Sequence, residues 1–124
     1  MKTAMDALDL LVVVDPYPSA TAAMAAMKSE GSKPNTNRSV YLLPAATQFE
    51  TVGSCTASNR SLQWREKVID PLFESMPDHV IMQAFADRLG FGTELSKNFK
   101  MLDSKFAGKS WKEPEVESIL GEIN

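Results

Sequence analysis

Two short apolar runs stand out in the pattern of hydrophobic and polar positions. The first, LLVVV, occupies Leu10–Val14 between Asp9 and Asp15, and the second occupies Val40–Leu43 and stops at Pro44. An apolar run without polar alternation is typical of a parallel strand that is covered on both faces. The segment between the two runs is long enough for a right-handed βαβ crossover. The pattern therefore predicts an α/β chain with parallel strands.

The connection between these strands predicts one helix. The prolines of the DPYP sequence that follows the first run cannot donate to a strand ladder, so the strand ends there. Ser19 or Thr21 can then cap a helix that is rich in Ala and Met and runs through residues 20–28. Residues 29–38, SEGSKPNTNR, are predicted to form a polar loop.

The middle of the chain predicts irregular structure followed by a helix. Residues 48–65 indicate loop and irregular strand. The sequence SMPD at 75–78 has the spacing of a capping box, which would make Ser75 the cap and Asp78 the third helical residue. The helix is expected to continue to about Leu89, with Val80, Ala84 and Leu89 near one stripe, and to end at the GFG sequence of 90–92.

Two further helices are predicted toward residue 124. Residues 94–103 suggest one helix, and residues 113–123 place Val116, Ile119 and Leu120 at helical spacing. Only two segments are convincing strands, whereas independent stability usually requires three or more strands or strong packing on helices. The chain is therefore predicted to be a piece of a larger α/β domain.

Composition and charge exclude several classes of protein. The 124 residues are 44% hydrophobic and 23% charged, as in an ordinary globular domain, and the net charge of −3 leaves no basic footprint for nucleic acid. No apolar run approaches the roughly 20 residues that span a bilayer. Asp6 and Asp9 interrupt the apolar N-terminal stretch, so a signal peptide is not expected and a cytoplasmic location is the default.

The chain has one cysteine and one histidine. Cys55 has no cysteine to pair with and no histidine nearby in sequence, and we interpret it as a small buried hydrophobic residue. His79, beside Asp78, has two interpretations: a general base, or a surface or capping histidine, which we favour. A histidine-rich zinc site and a thiolate metal cluster are both excluded.

Asp15 is the first candidate for ligand binding. It lies at the carboxyl end of a predicted parallel strand, where open α/β sheets bind ligands. A carboxylate accepts hydrogen bonds only, which suits the N–H edge of guanine, whereas an Asp-Pro turn explains the same residue equally well. The nicotinamide fingerprint G-x-G-x-x-G is absent, which argues against simple NAD binding.

The segment 41–67 carries further candidates. Glu50 and Gly53 could shape a loop that allows the backbone to approach a phosphate or a pterin ring. Arg60 and Arg65 could bind anions, although a solvated face is the more common explanation. The spacing of these residues alone identifies the chain only as a piece of a ligand-binding α/β domain.

The sequence resembles the molybdopterin oxidoreductase family. The resemblance lies in LLVVVDPYPSATAAMAAM and in VYLLPAATQFETVGSCTASNRSLQWREKVIDPLFESMPDHVIM. The family pattern is a strand ending in Asp, then Thr-Ala, Leu-Pro-Ala, Glu-x-x-Gly and an Asn/Arg turn. It is similar in particular to the catalytic alpha subunit of cytoplasmic, NAD-dependent formate dehydrogenases that carry molybdenum or tungsten, and TASNRSLQWREKV favours this subgroup.

This resemblance implies contacts to a bis-(molybdopterin guanine dinucleotide) cofactor. The positions that match the family's cofactor contacts are Val14 and Asp15 at the strand end, Thr51 after the motif glutamate, and Asp78 at the start of the next helix. The periplasmic nitrate reductases of this family carry a lysine at the position of Thr51, so a charged phosphate contact is not implied there, although the threonine hydroxyl can still donate a hydrogen bond. The expected fold is a partial Rossmann-like parallel sheet with flanking helices.

The resemblance also implies what these residues do not supply. The family's metal ligand, catalytic histidine and arginine, and iron–sulfur cysteines have no match here, so no catalytic residue and no metal ligand is predicted. The parent reaction is oxidation of formate to carbon dioxide, and the implied partners are the remainder of the catalytic subunit and the NADH-side electron-transfer subunits. We expect a partial cofactor-binding domain over residues 1–90 and a helical or irregular extension over 91–124. The alternative is a free-standing, non-catalytic protein that binds a guanine nucleotide or the other subunits.

Overall fold

A computed structural model describes residues 7–26 and 39–123 of the chain. The chain divides into two compact units, Met1–Ala45 and Ala46–Asn124. The described residues form a mixed α/β structure with three two-stranded sheets. This confirms the α/β class, while the sheets are smaller than the sequence suggested.

The first unit contains the predicted parallel strand pair. Strand β1 (Leu10–Asp15) pairs with β2 (Ser39–Pro44) in parallel, with Asp15 opposite Pro44 at the carboxyl end. Helix α1 (Ala20–Ala26) follows β1. The predicted loop 29–38 and the last two predicted helical positions, 27 and 28, lie outside the described residues.

Ser19 caps α1 in the predicted manner. Its Oγ accepts the N–H of Ala22 at 3.5 Å, and its carbonyl oxygen accepts the N–H of Ala23 at 3.0 Å. A side-chain oxygen in this position satisfies one of the helix's otherwise unpaired N–H groups. Of the two predicted caps, Ser19 is therefore the correct one and Thr21 lies inside the helix.

The prediction that β1 is covered on both faces is wrong for this chain. Leu10 is 56% exposed and Val12 is 39% exposed, and Tyr41 on the same face of β2 is 57% exposed. The described residues supply two parallel strands, and a pair of strands does not define a Rossmann-like topology. The predicted sheet is present only as this parallel pair.

The second unit contains two antiparallel hairpins that the sequence pattern did not predict. Strands β3 (Gly53–Thr56) and β4 (Leu62–Arg65) occupy the stretch that was expected to be loop and irregular strand. Strands β5 (Met101–Phe106) and β6 (Lys109–Pro114) form the second hairpin. The helix predicted over 94–103 is therefore wrong from residue 96 onward, because the observed helix ends at Leu95 and the strand begins at Met101.

Each hairpin turns at residues with positive φ. In the first, Arg60 has φ 66°, and Asn59 Oδ1 accepts the N–H of Ser61 at 3.1 Å. In the second, Ala107 and Gly108 have φ 49° and 73°. Two consecutive residues with positive φ match the right-handed twist of the strands that they join. Asn59 and Gly108 were the turn signals that the sequence offered.

Three helices complete the second unit. Helix α2 (Asp78–Leu89) ends as predicted, because Gly90 follows in the left-handed conformation at φ 87° and its N–H returns to the carbonyl of Asp87. Helix α3 (Gly92–Leu95) is a single turn, and α4 (Val116–Ile123) confirms most of the predicted amphipathic helix.

The core of this unit lies where α2 packs on β6 and α3. Val80, Ile81 and Ala86 are almost fully buried, and Phe106 at the end of β5 joins them. Leu89 is 71% exposed, so the predicted stripe through Val80, Ala84 and Leu89 is wrong at its last member. The buried face instead follows positions 80, 81, 83 and 86.

The division of the described chain falls between Ala45 and Ala46. The predicted boundary after residue 90 rests on the family resemblance and stays a prediction. Residues 101–114 of the predicted helical or irregular extension are a β-hairpin.

Candidate cofactor-contact residues

Asp15 lies at the carboxyl end of β1, as the sequence predicted. Its Oδ1 accepts the N–H of Tyr17 at 2.9 Å, and its backbone oxygen accepts the N–H of Ala45 at 3.4 Å. The first bond is the turn interaction expected of an aspartate before a proline. A carboxylate has about four acceptor sites, so this bond leaves capacity for a ligand. Val14 precedes it in the strand, half-buried and paired with Leu43.

Asp78 is the first residue of α2, and the predicted capping box does not form. Pro77 occupies the cap position with φ −57° and ψ 142°, and no side chain caps the helix. Proline disfavours the helical region for the residue before it, so the helix cannot begin at Met76. Ser75 Oγ instead donates to the carbonyl of Leu72 at 2.6 Å. Asp78 is exposed, and a carboxylate in the first helical turn is favoured by the helix dipole.

Thr51 is half-buried and follows a buried glutamate. Its hydroxyl donates to the carbonyl of Thr47 at 3.5 Å, the outer limit of a hydrogen bond. The neighbouring Glu50 is only 4% exposed. The hydroxyl of Thr51 is therefore weakly engaged, whereas the carboxylate beside it is fixed in place.

Glu50 holds together two segments that are far apart in sequence. Its Oε2 accepts the N–H of Thr47 at 2.6 Å, and its Oε1 accepts the N–H of Leu72 at 2.8 Å. The hydrogen bond from the Thr47 backbone, together with that from Leu72, holds the pKa of the Glu50 carboxyl below its ordinary value, against the opposing effect of burial. Glu50 braces the backbone in this chain, because each of its oxygens accepts a backbone N–H group.

Gly53 is buried in the β3–β4 hairpin beside the Arg65 side chain. It pairs with Arg65 across the β3–β4 hairpin, and a side-chain carbon placed on Gly53 would lie 3.6 Å from a guanidinium nitrogen of Arg65. The Nε atom of Arg65 is buried and has no hydrogen-bond partner within the described part of the chain. The predicted close approach of the Gly53 backbone to a phosphate or a pterin ring stays a prediction, and Arg65 is the side chain nearest to it in this structure.

Cys55 and His79 also depart from expectation. Cys55 is exposed on β3, so its interpretation as a buried hydrophobic residue is wrong. His79 is neither a free surface residue nor a cap: its Nε2 lies 2.9 Å from Oε1 of Glu113, and both side chains are largely buried. Ser104 donates to the other oxygen of Glu113. The hydrogen bond from His79, followed by that from Ser104, lowers the pKa of the Glu113 carboxyl.

This Ser104–Glu113–His79 cluster ties α2 to the β5–β6 hairpin. Glu113 lies 34 residues from His79 in sequence. No local spacing signals the cluster, because it forms only when the hairpin packs on α2. The carboxylate stands between the serine and the histidine, so the histidine does not contact the hydroxyl and cannot activate it as a base.

A pocket of about 430 Å³ lies between this hairpin and the segment that Glu50 braces. Thr51 lines it, together with polar and apolar side chains of both segments: Glu50, Val52, Glu66, Lys67, Asp70, Pro77, Leu102, Ser104, Lys105, Phe106 and Glu113. Its charged groups have both signs, and Lys67 is already paired with Asp70 at 2.7 Å. Thr51 is the only predicted contact residue in this lining.

The four predicted contact residues fall into two pairs by unit. Val14 and Asp15 are adjacent in the first unit, and Thr51 and Asp78 belong to the second. Within the described residues no group of three or more acidic, histidine or cysteine side chains is arranged to hold a metal ion. None of the helices in residues 7–26 and 39–123 has the length and apolarity that a membrane crossing requires.

Comparison with known proteins finds similar sequences in Staphylococcus aureus. A protein of strain USA300 that bears the name "Putative formate dehydrogenase" is 30% identical over 117 residues, which cover 90% of this chain and 10% of that protein. A protein of the same name from the bovine strain RF122 is 30% identical over 121 residues, which cover 93% of this chain and 11% of that protein. No family profile matches the sequence. The chain therefore resembles a segment of these proteins and spans about a tenth of their length.

Proposed function

We propose that this chain is a segment of a formate dehydrogenase catalytic subunit and that it contributes contacts to a bis-(molybdopterin guanine dinucleotide) cofactor. The observation that carries the proposal is the similarity over 90% of the chain to the Staphylococcus proteins named for this activity. The parent reaction is oxidation of formate to carbon dioxide. The chain holds no predicted catalytic residue, and its role is binding.

The chemistry of Asp15 and Asp78 suits guanine. Each is a carboxylate with acceptor capacity, and a guanine edge offers adjacent N–H donors. Asp15 lies at the carboxyl end of a parallel strand, where ligands of open α/β sheets bind. Asp78 is exposed at the first turn of α2. A hydrogen bond to an ionised acceptor is about twice as strong as a neutral one, so each carboxylate would contribute substantially to nucleotide affinity.

Val14 and Thr51 would make weaker contacts. Val14 is half-buried in β1, so it offers a small apolar surface beside Asp15. Thr51 offers a hydroxyl whose bond to Thr47 is long enough to be exchanged for a phosphate oxygen. The cofactor, when bound, would supply the molybdenum or tungsten that accepts electrons from formate. The four residues of this chain would hold and orient it.

The proposal includes partners and a location. The remainder of the catalytic subunit would complete the cofactor site, and electron-transfer subunits on the NADH side would receive the electrons. The location we propose is the cytoplasm.

The proposal is tested on the longer polypeptide of which, under this proposal, residues 1–124 are a segment. Asp15→Asn and Asp78→Asn each replace a carboxylate by an amide, whose NH₂ group opposes the guanine N–H donors. Losing one charge-assisted bond of about 1.5–3 kcal/mol weakens binding about tenfold or more. The measurements are molybdenum and tungsten content, and guanine nucleotide released on denaturation.

Asp103→Asn is the matched control. Asp103 is an exposed aspartate on β5 that pairs with Lys112 at 2.7 Å, and exposed pairs contribute little to stability. We expect Asp103→Asn to retain full cofactor content while the two site variants lose it. A longer polypeptide that purifies without molybdenum, tungsten or guanine nucleotide would refute the proposal, and so would full retention by both site variants.

A further inference from the structure

Five large apolar side chains are exposed together in the second unit, and we call them the Phe73 surface. Phe73 is 93% exposed and Val68 is 73% exposed; Phe49, Leu72 and Ile69 are 57%, 55% and 47% exposed. Scattered exposed apolar residues are normal on a protein surface, but a contiguous group marks a contact site.

Backbone hydrogen bonds make them neighbours. The carbonyl of Phe49 accepts the N–H of Val68 at 2.9 Å and that of Ile69 at 3.2 Å. The next residue, Glu50, accepts the N–H of Leu72 at 2.8 Å. The segment that carries four of the side chains is therefore fastened along the segment that carries the fifth.

Phe73 is presented on a backbone that is unfavourable for it. Its φ of 55° lies in the left-handed region, which bulky residues rarely adopt. The turn is fixed on the following side by Ser75, whose N–H and hydroxyl both bond to the carbonyl of Leu72. The phenyl ring is exposed to solvent on a strained turn that hydrogen bonds hold in place, so the ring does not stabilise this chain. This points to a contact outside the chain.

The size of the surface is that of a specific contact site. Exposed fractions of this size on five large side chains amount to an apolar area on the order of 500 Å². A stable protein–protein interface buries about 800 Å² on each partner, of which somewhat more than half is apolar. The apolar area therefore suits a second copy and another domain of the same polypeptide equally, and the charges around the surface decide between them.

The charges around the surface indicate what faces it. Glu66, Asp70 and Glu74 are exposed in or beside the same segment, and Lys67 is the basic residue among them, already paired with Asp70. The rim therefore has an acidic excess. A complementary partner carries an apolar recess that accepts a phenyl ring, with basic side chains around it.

We propose that the Phe73 surface is an interdomain contact, covered by another part of the longer polypeptide through an apolar recess with a basic rim. This rests on the proposed function in one respect, namely that the chain is a segment of a longer protein. The fraction of the relatives' length that it spans, about a tenth, leaves ample polypeptide to supply the cover.

The test compares the 124-residue chain with the longer polypeptide by hydroxyl-radical footprinting. We expect oxidation of Phe73 to be several-fold slower in the longer polypeptide, with Leu89, 71% exposed at the end of α2, as the internal reference for reagent dose. Equal rates at Phe73 in both proteins would overturn the proposal. Slow oxidation in the 124-residue chain that depends on its concentration would also overturn it, because a second copy would then be the cover.

A variant gives a second, independent readout. Phe73→Asn replaces an exposed phenyl group by a residue that tolerates positive φ. We expect the thermal midpoint of the 124-residue chain to stay the same or rise, and that of the longer polypeptide to fall by several degrees. Leu89→Asn is the control for removing an exposed apolar side chain outside the surface. A longer polypeptide that tolerates Phe73→Asn as well as the short chain does would refute the contact.

These outcomes are separable from those of the cofactor proposal. Protection of Phe73 in a longer polypeptide that contains no molybdenum, tungsten or guanine nucleotide would support the contact and refute the cofactor role. Retained cofactor without protection of Phe73 would do the reverse.

Discussion

Removing the carboxylate of Glu50 is expected to cost more stability than any other single change of an acidic residue in the second unit. The side chain is 4% exposed, and it accepts backbone N–H groups from Thr47 at 2.6 Å and from Leu72 at 2.8 Å. Glu50→Ala leaves both donors without this acceptor. A fully buried unsatisfied donor costs about 1–3 kcal/mol, and since both of these hydrogen bonds are only partly buried, the expected loss lies in the lower part of the range for two donors, about 2–4 kcal/mol.

Glu50→Gln tests the hydrogen bonds of the side chain separately from its shape, because glutamine has nearly the same shape as glutamate. The amide keeps one acceptor oxygen but places an NH₂ group against the other N–H, so one of the two bonds is lost along with the charge. We expect a loss of about 1.5–3 kcal/mol in the free energy of unfolding. Glu74→Gln is the matched control, because Glu74 is exposed in the neighbouring turn and its side chain makes no hydrogen bond or ion pair with the described residues.

The assay is urea unfolding followed by the fluorescence of the two tryptophans, Trp64 and Trp111. With a slope of about 1–3 kcal/mol per molar urea, the midpoint of Glu50→Gln should fall by on the order of 1 M. Amide exchange at Leu72 supplies a local measure, since its N–H loses its acceptor and should exchange faster. If Glu50→Gln unfolds at the same midpoint as Glu74→Gln and Leu72 exchanges at the wild-type rate, the assignment of Glu50 as a brace is wrong.

Two further predictions follow from the second unit. The pKa of the Glu113 carboxyl is lowered in the folded chain, chiefly by the hydrogen bond from His79. The ionised carboxylate therefore stabilises the fold above its unfolded-state pKa of about 4.3, and this contribution is lost as the pH falls below that value. The free energy of unfolding should fall between pH 7 and pH 3, and it should fall less steeply in Glu113→Gln. Gly92→Ala places a carbon 1.8 Å from Oδ1 and 2.9 Å from Cα of Asp87, whereas Gly90→Ala meets no atom within 4 Å and only the strain of φ 87°. We expect losses of about 1–3 kcal/mol for the first and about 1 kcal/mol for the second, and the reverse order in urea midpoints would contradict the packing at Gly92.

The sequence was sufficient to predict a strand or the end of a helix wherever a few adjacent residues determine it. The apolar runs gave β1 and β2, Ser19 gave the start of α1, and Gly90 gave the end of α2. In each case the cause is local: β-branched residues in a run, a side-chain oxygen near free N–H groups, or a residue that accepts positive φ. One error also has a local cause. The capping box was predicted from the spacing of Ser75 and Asp78 alone, without the constraint that Pro77 places on the backbone of Met76.

The sequence did not predict structure that depends on distant partners. The β5–β6 hairpin forms where local pattern suggested helix, because cross-strand pairing and packing on α2 outweigh weak helical propensity. Cys55 is exposed because the β3–β4 hairpin places it on an open face.

By itself, therefore, the sequence determined the parallel strand pair, the aspartate at its end and the similarity to a segment of proteins named for formate dehydrogenase. Only the tertiary structure decided the roles of the buried carboxylates. Glu50 is a brace because Leu72, 22 residues away, donates to it, and Glu113 anchors a helix because His79, 34 residues away, lies against it. A carboxylate's role follows from which donors surround it once it is buried, and those donors come from parts of the chain that only folding brings together.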